Sequence, residues 1–169
     1  MDITVTAMNE QHLEAVQAIE QSSFIAPWSS QLFNQELQLA VALSLIAALR
    51  EDGREKVIGY FCAWIVEDDC TVLRIACHPQ HRRRGIGSML LQQGLTRAGE
   101  RGARRASLEV RPSNESALAF YRACGFTLAG VRKGYYPETG EDALVMQLTL
   151  AVPPHGSGKQ SAGSVTIPS

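Results

Sequence analysis

Apolar and polar residues alternate from Ile3 to Met8, the two-residue period of a half-buried strand, and Leu13, Val16 and Ile19 then recur at helical spacing up to Ser22. After Pro27-Trp28, Ser29 and Ser30 offer a hydroxyl cap for a short second helix with Leu32, Phe33 and Leu37 as its apolar stripe. Three β-rich runs follow, Val41 to Leu49, Val57 to Val66 and Thr71 to Cys77. The breaks at Asp52-Gly53 and Asp68-Asp69 suit hairpin turns, so an antiparallel meander is expected. Leu91, Leu95 and Ala98 predict a helix from Gly87 to about Arg101, with Gly102 as its stop, and a strand over Arg105 to Val110. Ser113 or Asn114 can cap another helix, with Ala117, Leu118, Phe120, Tyr121 and Cys124 on one face and Gly125 at its end. Strands near Thr127 to Arg132 and Ala143 to Leu150 complete the pattern.

The apolar pattern fades after Leu150. Residues 151–169 are rich in Pro, Gly, Ser and Ala, too few large side chains to offset the entropy of ordering, so a flexible tail is expected behind one domain over residues 1–150. With 169 residues, 45% of them apolar, the chain suits one globular domain. A formal net charge of -1 argues against electrostatic binding of nucleic acid. No apolar run approaches the roughly 20 residues of a membrane-spanning helix. Cys62, Cys70, Cys77 and Cys124 lack CxxC spacing, and the opening residues do not resemble a signal peptide, so a reducing cytoplasm is expected. His12, His78, His81 and His155 have no metal-ligand spacing, so no metal site is expected.

One stretch carries candidate chemistry. Ile75-Ala76-Cys77 ends a strand, and His78 to Arg84 lead through a basic turn into Gly85-Ile86-Gly87-Ser88, the start of a helix. Glycines let a backbone approach a ligand closely, and free amides at a helix N-terminus favour an anion, so this loop suits a phosphate. A Rossmann fingerprint competes, since Glu109 closes the next strand, but Leu90 stands where the third glycine or alanine belongs. A P-loop is excluded because no Gly-Lys-Ser or Gly-Lys-Thr follows. A solvated basic turn with a capping glycine remains an ordinary alternative.

Arg82-Arg83-Arg84-Gly85-Ile86-Gly87 resembles the Arg/Gln-x-x-Gly-x-Gly/Ala motif with which GNAT acetyltransferases hold the pyrophosphate of coenzyme A. Leu108-Glu109-Val110-Arg111-Pro112-Ser113-Asn114, Ala119-Phe120-Tyr121, Gly125-Phe126 and Tyr135-Tyr136-Pro137 follow in the order of the RimI branch, which acetylates the N-terminal alanine of a ribosomal protein. Phe24-Ile25-Ala26-Pro27-Trp28-Ser29 and Glu141-Asp142-Ala143 extend the likeness to about residues 1–150.

The resemblance implies a mixed α/β fold, a mainly antiparallel sheet with splayed central strands and helices on both faces, and acetyl-CoA as co-substrate without a metal. It implies Glu109 as general base, although a surface glutamate paired with Arg111 is the plain alternative. It implies Tyr121 as the acid that protonates the departing thiolate, against an ordinary buried aromatic. Arg82, Arg83, Arg84, Gly85, Ile86, Gly87 and Ser88 would hold the pyrophosphate, the backbone of Ile75, Ala76 and Cys77 the pantetheine arm, and Asn114 either the cofactor or only its own helix. Trp28, Tyr135 and Tyr136 would border the acceptor, the N-terminal peptide of a ribosomal protein, with the enzyme a monomer or weak dimer. Cys77 invites an acetyl-cysteine intermediate, but direct transfer is expected, since a small buried cysteine packs like an aliphatic residue. His78 stands where that branch commonly has an acidic residue. Other peptide N-termini, lysines or small amines, and a coenzyme A-binding module without turnover, are the rival functions.

Overall fold

The computed structural model describes residues 2–151. Met1 and the expected tail from residue 152 on, with His155, lie outside the described residues. Among those described, seven strands and four α-helices follow the order β1 (Asp2–Ala7), α1 (Leu13–Ser23), α2 (Ser30–Glu36), β2 (Ala42–Glu51), β3 (Arg54–Val66), β4 (Asp69–Cys77), α3 (Ile86–Glu100), β5 (Arg105–Val110), α4 (Glu115–Ala123), β6 (Thr127–Arg132) and β7 (Ala143–Thr149). The strands form one mostly antiparallel sheet in the order β1-β2-β3-β4-β5-β7-β6. Among the described residues the chain divides into two compact units, residues 2–64 with 72–94, and residues 65–71 with 95–151.

In the first unit the expected meander forms, with both faces of its central strands covered. Ile46, Ala48, Tyr60 and Cys62 share a core with Val16 and Ile19 of α1 and Phe33 of α2. On the other face Gly59 and Phe61 meet α3 so closely that a Cβ at Gly59 would lie 2.9 Å from Leu90 Cδ1, and one at Gly94 2.5 Å from the Phe61 ring. Such contacts need glycine because real Cβ atoms cannot approach so near without displacing a packed neighbour. Burial on both faces explains why β2 and β3 read as nearly continuous apolar runs. Pairing shifts where Ala47 faces Gly59 but Ala48 faces Val57, which leaves Ile58 as a bulge, and the Ile58 carbonyl accepts the His78 N–H at 2.8 Å.

Asn9, whose role the apolar pattern does not reveal, caps a short 3-10 turn ahead of α1, and Ser29 caps α2 by accepting the Leu32 N–H at 3.1 Å. Asp52 and Gly53 both take positive φ, 48° and 73°, as a two-residue hairpin turn requires. The next turn falls one residue earlier than expected: Glu67, not Asp68-Asp69, takes the left-handed conformation at φ 56°, and Asp69 already belongs to β4.

In the second unit β7 pairs antiparallel with β5 on one side and β6 on the other. The β6 register shifts between Leu128 and Gly130, so Ala129 is an unpaired bulge. Asn114 caps α4 by accepting the Ala117 N–H at 3.2 Å, and Gly125 ends it at φ 95°.

Candidate active site

The first unit carries the glycine loop, the end of β4 and Trp28. Arg83 takes φ 61° and Gly85 φ 78°, while Arg82 between β4 and Arg83 is extended. A positive φ at a residue other than glycine is uncommon, and left-handed residues in a turn open main-chain N–H groups toward an anion. A Cβ on Gly85 would meet nothing within 4 Å, so glycine stands there for its backbone conformation and not for space. Helix α3 begins at Ile86, with the Met89 N–H donating to the Gly85 carbonyl at 3.0 Å, so the amides of its first turn look outward toward the loop.

The three arginines divide. All three are exposed, but Arg82 donates through Nε to the Cys77 carbonyl at 3.2 Å and through its guanidinium to Ser23 Oγ at 3.1 Å. Arg82 therefore ties the turn to the end of β4 and to α1. His78 acts locally, its Nδ1 accepting the Gln80 N–H at 3.1 Å and so capping the 3-10 turn Pro79–His81. Partial burial, helped by Lys56, His81 and Arg82, lowers its pKa, which favours the neutral ring that such a cap needs. Burial raises the Cys77 thiol, against Arg82, so it is less thiolate than an exposed cysteine. On β4, Ile75 and Ala76 precede it, Ala76 buried and Ile75 partly so.

The second unit carries Glu109, Asn114, Tyr121, Tyr135 and Tyr136. Ala106, Leu108 and Val110 point into the core, so period-two alternation turns Glu109 to the opposite face of β5, with its side chain 25% exposed. Its partner is not Arg111. Arg132 Nε lies 2.8 Å from Glu109 Oε1, and the same carboxylate lies close enough to Tyr135 to raise its pKa, ahead of burial. Arg111 instead pairs with Glu138, donates to Thr139 Oγ1 at 2.8 Å, and stacks 3.9 Å from the Tyr136 ring centroid. It fastens the loop of both tyrosines directly after β5.

Tyr135 and Tyr136 stand edge to face at 5.1 Å, and Tyr121, packed against Phe120 and Phe126, is close enough to Tyr136 to feel its charge. Burial first, then Cys124 and Tyr136, push the Tyr121 phenol well above its ordinary value, so it is a protonated donor at neutral pH. Glu109 and Tyr136 thus lie near enough to Tyr135 and Tyr121, respectively, to raise their phenols. Asn114 is exposed at the head of α4, and its side-chain oxygen is taken by the cap.

Sequence reasoning missed Arg132, because its side of β6 depends on the bulge at Ala129. It also missed a buried carboxylate: Glu20, four residues after Val16 on the apolar stripe of α1, is completely buried. A charged residue at a core position of the helical period was the available signal.

Among the described residues, no cluster of three or more His, Cys, Asp or Glu side chains could hold a metal ion, and no helix is long and apolar enough to cross a membrane.

The sequence profile described as the acetyltransferase (GNAT) family matches residues 13–126. A Bacillus subtilis relative is 38% identical over 146 residues, covering 86% of this chain and 95% of its own. The [ribosomal protein bS18]-alanine N-acetyltransferase of Escherichia coli K12 is 33% identical over 153 residues, 88% of this chain and 99% of that protein. The crystal structure of the ribosomal-protein-S18-alanine N-acetyltransferase from Escherichia coli superposes with a TM-score of 0.79 at 31% identity, covering 94% of this chain and all of that one. With more than half of its length matched by the profile, and with relatives above 30% identity aligned along nearly their whole lengths, this chain belongs to the acetyltransferase (GNAT) family.

Proposed function

We propose that this acetyltransferase moves an acetyl group from acetyl-CoA to the N-terminal amine, an alanine, of a small-subunit ribosomal protein, by direct attack in a ternary complex. The observation that carries the reading is the placement of Glu109, a partly exposed carboxylate on β5 that Arg132 holds at 2.8 Å and that lies close enough to Tyr135, on the loop expected to border the acceptor, to raise its pKa. The names of the Escherichia coli relatives supply the acceptor class.

The residues present fit coenzyme A. The left-handed turn at Arg83 and Gly85, the first amides of α3 and the exposed Arg83 and Arg84 suit a diphosphate, while Arg82 braces the turn from behind. Acetyl-CoA supplies the activated thioester carbonyl. An α-amine has a pKa near 7.7–8.0, so much of it is charged at neutral pH and must shed a proton before its lone pair can attack. Glu109 takes that proton, directly or through one water. As the carbon–sulfur bond breaks, Tyr121 donates its phenolic proton to the departing thiolate; its raised pKa keeps that proton in place until then. Because the oxygen of Asn114 caps α4, a bond from this residue to the cofactor would come from its NH2 group. The raised Cys77 thiol favours direct transfer over an acetyl-cysteine intermediate.

The test is to incubate the protein with acetyl-CoA and an Ala-starting ribosomal peptide, beside the same peptide blocked at its N-terminus and a lysine-containing control. Mass spectrometry should find one acetyl group on the free α-amine alone. Acetylation confined to lysine, or binding of coenzyme A with no turnover on any amine, would replace this reading with one of its rivals.

A further inference from the structure

Glu20 is the one fully buried carboxylate that the proposed reaction does not use among the described residues. Two hydrogen-bond donors and one cation converge on it. The Trp28 N–H reaches Oε1 at 3.0 Å, the Tyr60 hydroxyl donates to Oε2, and Arg74 Nε lies 3.0 Å from Oε1 without the alignment of a hydrogen bond, so that contact is chiefly Coulombic. Burial and the negative charge of Glu20 push the Tyr60 phenol far above its ordinary value, so it stays a donor.

Arg74 carries the network onward. Its guanidinium lies 4.2 Å from the Phe24 ring centroid and 4.9 Å from that of Trp28, and donates to the Ala26 carbonyl at 3.1 Å. Gln17, one turn before Glu20 on α1, donates to the Trp28 carbonyl at 2.8 Å. The connection between α1 and α2, residues 24–29, has no regular structure of its own. Nevertheless its Trp28 main chain is gripped at both N–H and C=O, its Ala26 carbonyl is held, and both of its aromatic rings lie against one cation.

A buried ion pair is a poor device for stability alone, since apolar side chains of similar volume are often as stable or more so, while fixed directional bonds impose one geometry. Here the bonds at the Trp28 N–H and C=O, the bond at the Ala26 carbonyl and both ring contacts fall on one short segment, which presents Ile25 to solvent at 70% exposure beside the partly exposed Trp28. Arg74 also immediately precedes Ile75 to Cys77 on β4. Resting on the proposed acceptor, we infer that Glu20 and Arg74 are positioning residues that hold the Phe24–Trp28 segment in the shape required to receive the acceptor peptide. Neither touches the reacting atoms. Glu20 sets the height of the Trp28 main chain, and Arg74 sets the two rings and the Ala26 carbonyl.

Two variants test this. Glu20→Gln keeps the volume but loses the charge that faces Arg74 and offers one good acceptor to two donors; Arg74→Lys keeps the charge but loses the planar stacking and the reach to Ala26. For both, the peptide KM should rise about ten-fold while kcat at saturating peptide and the affinity for acetyl-CoA stay within about two-fold, the signature of lost acceptor binding. Hydrogen exchange supplies a readout that needs no acceptor: the Trp28 amide, protected in the parent protein, should exchange faster in Glu20→Gln. A lower Tm with unchanged peptide KM, or a parallel loss of acetyl-CoA affinity, overturns the inference, and so does unchanged Trp28 protection. If Glu20→Gln fails to fold, Arg74→Lys, whose side chain is 20% exposed, decides on the same kinetic criteria. Absence of turnover in the parent protein would refute the proposed acceptor itself, and the exchange result would still judge the network.

Discussion

In the proposed reaction the two units contribute by opposite means. The first offers main chain: left-handed Arg83 and Gly85, the opening amides of α3 and the edge of β4, with side chains such as Arg82 and His78 serving to hold the turn. The second offers side chains: Glu109, Tyr121 and Tyr135, aimed by β5, α4 and a loop that Arg111 fastens. A group that acts through its backbone tolerates a change of side chain but not of φ, while one that acts through a carboxylate or phenol reverses that sensitivity. Substitutions should therefore produce rate defects in one unit and cofactor-binding defects in the other.

The steepest effect should come from Glu109→Gln, which keeps the shape and loses the proposed base; kcat should fall by about 10²–10⁴ with acetyl-CoA affinity unchanged by calorimetry. Tyr121→Phe should lower kcat by about 10² at neutral pH. Its pH behaviour sharpens the point. Because the folded phenol is raised above its ordinary 10.0, the neutral form that the fold prefers is fully present below about pH 10 and is forfeited only above it, so no decline in rate from Tyr121 ionisation should occur before then. A descending limb near pH 8 in the parent enzyme that disappears in Tyr121→Phe would break the assignment.

Smaller effects test the first unit. Gly85 and Gly53 both take positive φ in open space, at 78° and 73°. Alanine at either should cost about 1–2 kcal/mol of backbone strain, measurable by denaturant unfolding. Only Gly85→Ala should also weaken acetyl-CoA binding, by about ten-fold if the loop relaxes by that strain. Equal affinities in the two variants would remove the phosphate role from the turn. Cys77→Ala should leave turnover nearly intact, whereas loss of an acetyl-enzyme species together with loss of activity would establish a covalent route.

How much the sequence discloses follows the same division. Periodicity placed β5 and β6 at their observed limits, Arg105–Val110 and Thr127–Arg132, and narrowed the caps to Ser29 or Ser30 and Ser113 or Asn114, of which Ser29 and Asn114 form, because local propensity and hydrogen bonding decide those features. The glycine loop was legible for the same reason. What stayed hidden depends on pairing between distant segments. Arg111 lies two residues from Glu109 and looks like its partner, but the carboxylate reaches across to Arg132, and Arg111 turns to Glu138 and Tyr136. Glu20 stood on the apolar stripe of α1 as an anomaly, yet its partners at Trp28, Tyr60 and Arg74 come from three places in the chain. The turn after β3 moved by one residue because Glu67 accepts the left-handed conformation that Asp68-Asp69 was expected to supply.

The unpaired Ala129 decides more than local twist. Opposite residues of paired strands share a face, so Glu109, Val145 and Gly130 lie on one side of the sheet, and past the bulge Ala143 and Arg132 return to that side. Were Ala129 to enter an uninterrupted ladder after Leu128, the parity would be inverted: Arg132 would project from the reverse surface, and Val131 would confront the carboxylate in its stead. A single supernumerary residue thus acts as a parity switch, sending Leu128 and Arg132, which the two-residue period would align, to opposite surfaces.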